Sequence, residues 1–150
     1  MDRPRVGKTR RRADAKGAWP DTPCIPSARF CAAGNRLTTL LREHILGAVA
    51  LLQAAKSGDG AAIAKASSAW YANANQIADF LHAANPRDRG RAETRAMMKT
   101  HLDETLKEAQ DRLHGDFTAD IRDYEAVHRH ILAMADELSN GIMRQFPRRF

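Results

Sequence analysis

Three histidines fall in the middle of apolar helical stripes, where polar residues are uncommon: His44, His101 and His128. A buried imidazole must pair its ring nitrogens with hydrogen-bonding partners, or it must bind a metal ion or a small ligand. Imidazole suits iron, copper or zinc, and helical bundles commonly house such sites in their interior. The sequence therefore predicts either a site for a transition metal or small ligand, or a hydrogen-bonded layer that fixes the register of the helices.

The heights of these residues along a helical bundle bring them to one level. A helix rises by about 1.5 Å per residue, so the three histidines lie within several Å of one another if consecutive helices alternate in direction. Asn73 falls at a similar height and is predicted to join them as a polar core residue. Two glutamates flank the layer and can complete the shell of ligands. The predicted metal ligands are His44, His101, His128, Glu125 and Glu43.

Other kinds of catalytic site find little support in the sequence. A carboxylate-bridged di-iron centre requires Glu-x-x-His on two helices and a glutamate on each of two more, whereas only Glu125 and His128 have that spacing. There is no Gly-rich phosphate loop, nucleophile elbow or catalytic triad. No catalytic residue is predicted, and enzymatic activity stays an open question. His130 is turned away from His128 and is expected to face water.

Four stretches with helical periodicity must position these residues. Apolar side chains recur at spacings of three and four over residues 36–56, 61–84, 92–114 and 116–146. Gly58 and Gly115 are expected to end helices, and Asp59 and Asp116 to cap the helices that follow. Short connections predict an all-α, antiparallel, four-helix up-down bundle. The longest stripe is expected to face its interior; it consists of Phe117, Ile121, Tyr124, His128, Ile131, Ala135, Leu138 and Ile142.

The composition changes abruptly near residue 33. The first 35 residues hold eight Lys or Arg against three Asp, and therefore carry +5 of the total formal charge of +6. Four of the six prolines also lie there. Such a segment buries too little apolar surface to offset its ordering entropy. We predict a disordered basic Pro-rich tail over residues 1–33 and a four-helix bundle over residues 34–150.

The same composition limits the expected location and partners. No apolar run approaches the roughly 20 residues that span a bilayer, and the N-terminus lacks the apolar core of a signal peptide. A cytoplasmic protein without membrane contact is therefore expected. Cys24 and Cys31 could pair, but two cysteines in a Pro-rich segment that is predicted to be non-helical make no disulfide framework. The arginine run at residues 10–12 allows only weak, non-specific association with nucleic acid. A metal, a small ligand or a homo-oligomer remains as a partner. A purely structural or interaction module is the alternative to a binding site.

Several segments together carry a resemblance to a known family: residues 40–45, 80–86, 98–102 and 130–136, followed by Gln145-Phe146-Pro147. From about Ala33 to Phe150 the chain resembles a family of uncharacterised bacterial all-helical proteins. Its members are sometimes labelled glycosyltransferase, but this chain has no nucleotide-sugar-binding pattern. Relatives carry further helical sequence upstream, where this chain has the basic tail. The resemblance therefore implies a helical bundle that lacks the N-terminal part of the family, and an incomplete site if the site needs that part.

Overall fold

A computed structural model describes residues 28–88 and 90–149, with side chains from residue 31 onward. Within these ranges the chain forms four α-helices and no strand, which confirms the predicted all-α fold. Nowhere in them does a helix combine the length and the apolarity that a membrane span requires. The four helices are α1 (Ala28–Ser57), α2 (Gly60–Ala84), α3 (Arg91–His114) and α4 (Phe117–Gln145).

Helix α1 begins eight residues before its predicted start at Arg36. The residues from Ala28 to Ala33 favour helix, and Gly34 lies inside the helix without ending it, since a single glycine costs only about 1 kcal/mol. The last six residues of the predicted tail therefore belong to α1, and Cys31 is helical and disulfide-bonded. Residues 1–27, which include Cys24 and the arginine run, lie outside the described residues. The tail's disorder and its contact with nucleic acid stay predictions.

The predicted caps and turns are confirmed. Asp59 accepts hydrogen bonds from two backbone N–H groups in the first turn of α2, at 2.9 and 3.0 Å. Asp116 accepts one from the N–H of Ala119 at 3.0 Å. Gly58 and Gly115 adopt φ angles of 71° and 80°, a left-handed conformation that glycine takes without a steric penalty. The chain therefore reverses within two residues after α1 and again after α3.

Consecutive helices run antiparallel, as the order of their contacts demonstrates. Trp70 donates its indole N–H to the carbonyl of His44, and Asn73, three residues further along α2, contacts the carbonyl of Leu40, earlier in α1. The same reversed order holds for Tyr71–Asp103 and Asp79–Arg95 between α2 and α3, and for Arg112–Asp120 and Met97–His130 between α3 and α4.

The bundle is open on one side. Helix α1 packs on α2, α2 on α3, and α3 on α4, whereas no comparable packing joins α1 to α4. The inner helices α2 and α3 therefore supply most of the core, and α4 contributes one residue to it. The buried core residues are Leu40, Leu51, Trp70, Ala74, Ile77, Ala78, Met98, Leu102 and Met134.

The apolar stripe of α4 does not face the interior, so that prediction is wrong. Phe117 is 56% exposed and Ile121 is 66% exposed, and Tyr124 is exposed as well. The face that packs on α3 lies about 110° further around the helix, at roughly 100° per residue. Because α1 does not pack against α4, nothing within the described chain covers the stripe. The buried residues of α4 are Ala119, Asp120, Asp123, Met134 and Gly141.

Helix α1 also exposes part of its apolar stripe, for the same reason. Leu40 and Leu51 are buried against α2. Leu41, Ile45 and Leu52 lie on the side that a packed α4 would have covered, and they are exposed. The stripe of α1 is therefore wider than the surface that α2 offers.

Ion pairs explain why a polar face of α4 turns inward. Arg112 of α3 contacts Asp120 at 2.9 Å, and Lys107 of α3 contacts Asp123. Buried carboxylates require such partners, because an unpaired charge removed from water is strongly destabilising. The Arg122 guanidinium and the Lys107 ammonium hold the pKa of Asp123 well below its usual range. The α3–α4 interface is thus fixed partly by charge.

Candidate functional site

Four polar side chains, one from each helix, cross the bundle at a single level. The ring centroid of His44 lies 6.3 Å from that of His101, and His101 lies 6.4 Å from His130. Asn73 hydrogen-bonds to His44 at 3.0 Å. We call these four residues the histidine row. The structure thus brings together three of the predicted residues, His44, Asn73 and His101, but it supplies His130 where His128 was expected.

Hydrogen bonds fix the protonation pattern at the start of the row. Nδ1 of His44 lies 3.0 Å from Oδ1 of Asn73, and Nδ2 of Asn73 donates to the carbonyl of Leu40 at 3.1 Å. Since an amide oxygen can only accept, Nδ1 of His44 carries a proton and donates it. The indole of Trp70 stacks on the His44 ring at 5.4 Å. Trp70 and Asn73 therefore hold the imidazole from two directions.

His101 lies between two other histidines and is held neutral. Burial, and then the neighbouring His44 and His130, lower its pKa from the ordinary value. Its Nδ1 atom is buried without a hydrogen-bond partner among the described residues. Protonation of that atom would place an unpaired donor in the interior, which costs roughly 1–3 kcal/mol. Burial also lowers the pKa of His44, against the opposing effect of its bond to Asn73.

His130 faces the interior, contrary to the expectation that it faces water. Its Nε2 atom lies 3.0 Å from the carbonyl oxygen of Met97 and, because a carbonyl only accepts, Nε2 donates. His130 shares the inward face of α4 with Asp123 and Met134. The charge pattern of the sequence could have identified His130 as inward-facing. The basic residues of α3 pair with acidic residues of α4, and His130 lies on the same face of α4 as those acidic residues.

Of the remaining predicted ligands, His128 and Glu125 lie away from the row, whereas Glu43 contacts it through Asn73. His128 is exposed, and its ring stacks on that of Tyr124 at 6.0 Å. Glu125 is exposed next to it on α4. Glu43 is exposed on α1, and one of its carboxylate oxygens lies 3.5 Å from Nδ2 of Asn73.

The predicted metal site finds no support in this arrangement. No group of three or more His, Cys, Asp or Glu within the described ranges is placed to hold a metal ion. A shared metal requires coordinating nitrogens that converge on one point about 2 Å away. The predicted set of His44, His101 and His128 does not converge, because His128 points outward. Binding of a transition metal stays a prediction.

The lowered histidine pKa values predict that acid destabilises the fold. As the pH falls below about 6.5, these histidines bind protons in the unfolded chain but remain unprotonated in the folded chain. The stability linked to His44 and His101 is therefore complete above that pH and is lost as the pH falls toward their folded pKa values. Because both rings are partly exposed, we expect a combined loss on the order of 1 kcal/mol by pH 5.5.

Urea denaturation at several pH values measures this effect. The dependence on pH should weaken in His101→Gln and persist in His114→Gln, which alters an exposed histidine outside the row. An unchanged dependence in His101→Gln would contradict the role of the row. Three acids with lowered pKa values titrate below this window: Asp79, Asp103 and Asp123. Burial raises the pKa of Glu108 toward the window, but that contribution is common to the wild type and both variants.

A second candidate site is the groove between α1 and α4. It has a volume of about 750 Å³, and α3 forms its floor. Its walls carry Val49 and Leu52 on one side and Ile121 and Tyr124 on the other. Beside it, the guanidinium of Arg112 lies 5.0 Å above the ring of Phe117. The groove is therefore apolar inside, with charged groups near its end.

Exposed apolar side chains continue from the groove along both outer helices. Each of them is between 39% and 66% exposed. We call this surface the open face; it consists of Leu41, Ile45, Val49 and Leu52 on α1 and of Phe117, Ile121, Tyr124, Ile131 and Ile142 on α4. A contiguous apolar surface of this size is uncommon in monomeric proteins and marks an interaction site.

No protein-family model, curated protein or solved structure matches the chain. The resemblance to bacterial helical proteins and the cytoplasmic location therefore stay predictions. The histidine row and the open face are the two features of the described residues that bear on function.

Proposed function

We propose that the chain is an interaction module that binds a helical protein surface through its open face. The observation that carries this proposal is the continuous apolar surface along α1 and α4. Its nine large side chains are exposed although they lie at helical spacing. Amphipathic helices bind other proteins by placing such residues against a complementary apolar groove or face.

The length of the open face favours a protein partner over a small molecule. From Phe117 to Ile142 the stripe on α4 extends over roughly 37 Å, at 1.5 Å per residue. A small ligand in the groove would contact only the part near Ile121 and Tyr124. A helix of comparable length contacts the whole stripe, including Ile131 and Ile142, which lie beyond the groove.

The charge of α4 argues against a membrane surface as the partner. Helices that lie on anionic lipids combine an apolar face with lysine and arginine at its edges. Helix α4 lacks an excess of basic residues, since it carries five acidic residues and three basic ones. Helix α1 carries a net charge of +3, so only one of the two helices of the open face suits an anionic lipid surface, whereas a protein partner can match both.

In this proposal the histidine row has a structural role. His44 is held by Asn73, and His130 donates to Met97, so each of these bonds ties one helix to the next. Specifically paired polar groups in a core fix helix register, because a shifted helix would leave them unpaired. The row therefore supports the geometry that presents the open face.

Site-specific photo-crosslinking in cells tests the proposal. A photoreactive phenylalanine analogue at Ile45 or Ile121 should form protein adducts, because both positions lie in the open face. Leu46 is the matched control: it is 66% exposed, against 64% for Ile45, but it lies about 100° further around α1. Adducts at 45 and 121 but not at 46 are expected. An absence of adducts at 45 and 121, or equal labelling at 46, would overturn the proposal.

A further inference from the structure

We infer that the partner of the open face is a second copy of this chain. The inference rests on the proposed function and names its partner. In the dimer, α1 of one copy packs on α4 of the other, and the two copies are related by a two-fold axis that runs parallel to the helices. Each open face is then covered by the same face of the other copy, as a two-fold interface requires.

The area of the open face meets the requirement of a stable dimer. Nine large side chains, about half exposed and each with roughly 150–250 Å² of surface, present on the order of 800 Å² of apolar surface. A standard specific interface buries about 800 Å² per partner, and homodimer interfaces are the more apolar ones. Two copies therefore offer each other matching areas of the same chemistry.

The charges of the two outer helices disfavour one arrangement. Helix α1 carries four basic residues and one acidic residue, a net charge of +3. Helix α4 carries three basic and five acidic residues, but Asp120 and Asp123 are already paired with α3, which leaves three acidic residues against three basic ones. Packing α1 on α1 of the other copy would place two basic helices together, whereas packing α1 on α4 would not. Charge therefore disfavours the α1–α1 arrangement.

The apolar residues of the two helices also agree in register. Val49 and Leu52 line the groove together with Ile121 and Tyr124, so the end of α1 and the start of α4 lie at one level. At about 1.5 Å per residue, Ile45 lies roughly 18 Å before the last residue of α1, and His128 lies roughly 17 Å after the first residue of α4. A two-fold axis parallel to the helices preserves height and sets Ile45 of one copy opposite His128 of the other.

Sedimentation equilibrium of the full chain tests the dimer. The expected mass is twice the 16.7 kDa of one chain at micromolar concentration. Ile45→Asp should weaken association at least 100-fold, because the two-fold axis buries the new charge at two places. Leu46→Asp should leave the dimer intact. Circular dichroism should show unchanged helix content in both variants, since both side chains are exposed.

A charge pair tests the arrangement of the helices. Ile45→Lys alone should abolish association, and His128→Asp in the same chain should restore it, because α1 of one copy faces α4 of the other. Without restoration, the proposed pairing of helices is wrong. A wild-type chain that stays monomeric at 100 µM would overturn the second copy as partner. Crosslinks from positions 45 and 121 to a different protein would then still support the interaction module, so the two failures are distinguishable.

Discussion

Replacing Trp70 with alanine is expected to lower the free energy of unfolding by about 3–5 kcal/mol, the usual loss for a large buried aromatic side chain. Trp70 is 3% exposed, stacks on His44 and donates its indole N–H to the His44 carbonyl at 3.0 Å. A Cβ atom at Gly47 would lie 3.1 Å from Cδ1 of the indole, so the ring fills the space that this glycine leaves. The substitution would open a cavity at the α1–α2 interface.

Trp70→Phe separates packing from hydrogen bonding at this position. Phenylalanine keeps an aromatic ring in the interface but loses the indole N–H, and the loss should be only about 1–2 kcal/mol. Urea denaturation followed by circular dichroism measures both variants. A loss below 1 kcal/mol in Trp70→Ala would show that the ring does not anchor α1 to α2.

The inner helices could be predicted from the sequence because they are covered on several sides. The stripe of α2 that includes Trp70, Asn73 and Ile77 is buried as its period indicates, and so are Met98 and Leu102 on α3. Apolar spacing identifies the face of a helix that is driven out of water. For a helix between two neighbours, that face is the packed face.

The outer helices could not be predicted in this way. The stripe from Phe117 to Ile142 is the most regular in the chain, yet it is exposed, because periodicity does not say which molecule covers a face. A second signal was present in the charges. Across the short turn at Gly115, the basic residues Lys107 and Arg112 stand opposite acidic residues of α4. Such mirrored pairs identify the face of α4 that meets α3.

The histidine row follows the same logic. His128 and His130 are two positions apart, which on a helix places them roughly 200° apart. If the apolar stripe of α4 faces inward, His128 lies in the interior. If the face that pairs its charges with α3 faces inward, His130 lies there instead. The levels of His44, Asn73 and His101 depend only on helix length and direction, and their proximity was therefore within reach of the sequence.

Replacing Asn73 with leucine is expected to cost about 2–3 kcal/mol, although leucine has a similar volume and a higher hydrophobicity. The amide accepts from Nδ1 of His44 and donates to the carbonyl of Leu40, and the side chain is buried. Its removal leaves the Nδ1–H donor of His44 without its acceptor in a partly buried position, and an unsatisfied donor costs roughly 1–3 kcal/mol.

A double-mutant cycle with His44→Phe tests that origin of the loss. Phenylalanine keeps the stack on Trp70 and has no ring N–H, so the double variant leaves no donor unpaired. The loss in the double variant should therefore be about 1 kcal/mol smaller than the sum of the two single losses. Denaturation curves of the four proteins supply the cycle. Strict additivity would mean that Asn73 and His44 stabilise the fold independently of each other. It would contradict the role of the row in fixing helix register, because that role requires each group to depend on its partner across the α1–α2 interface.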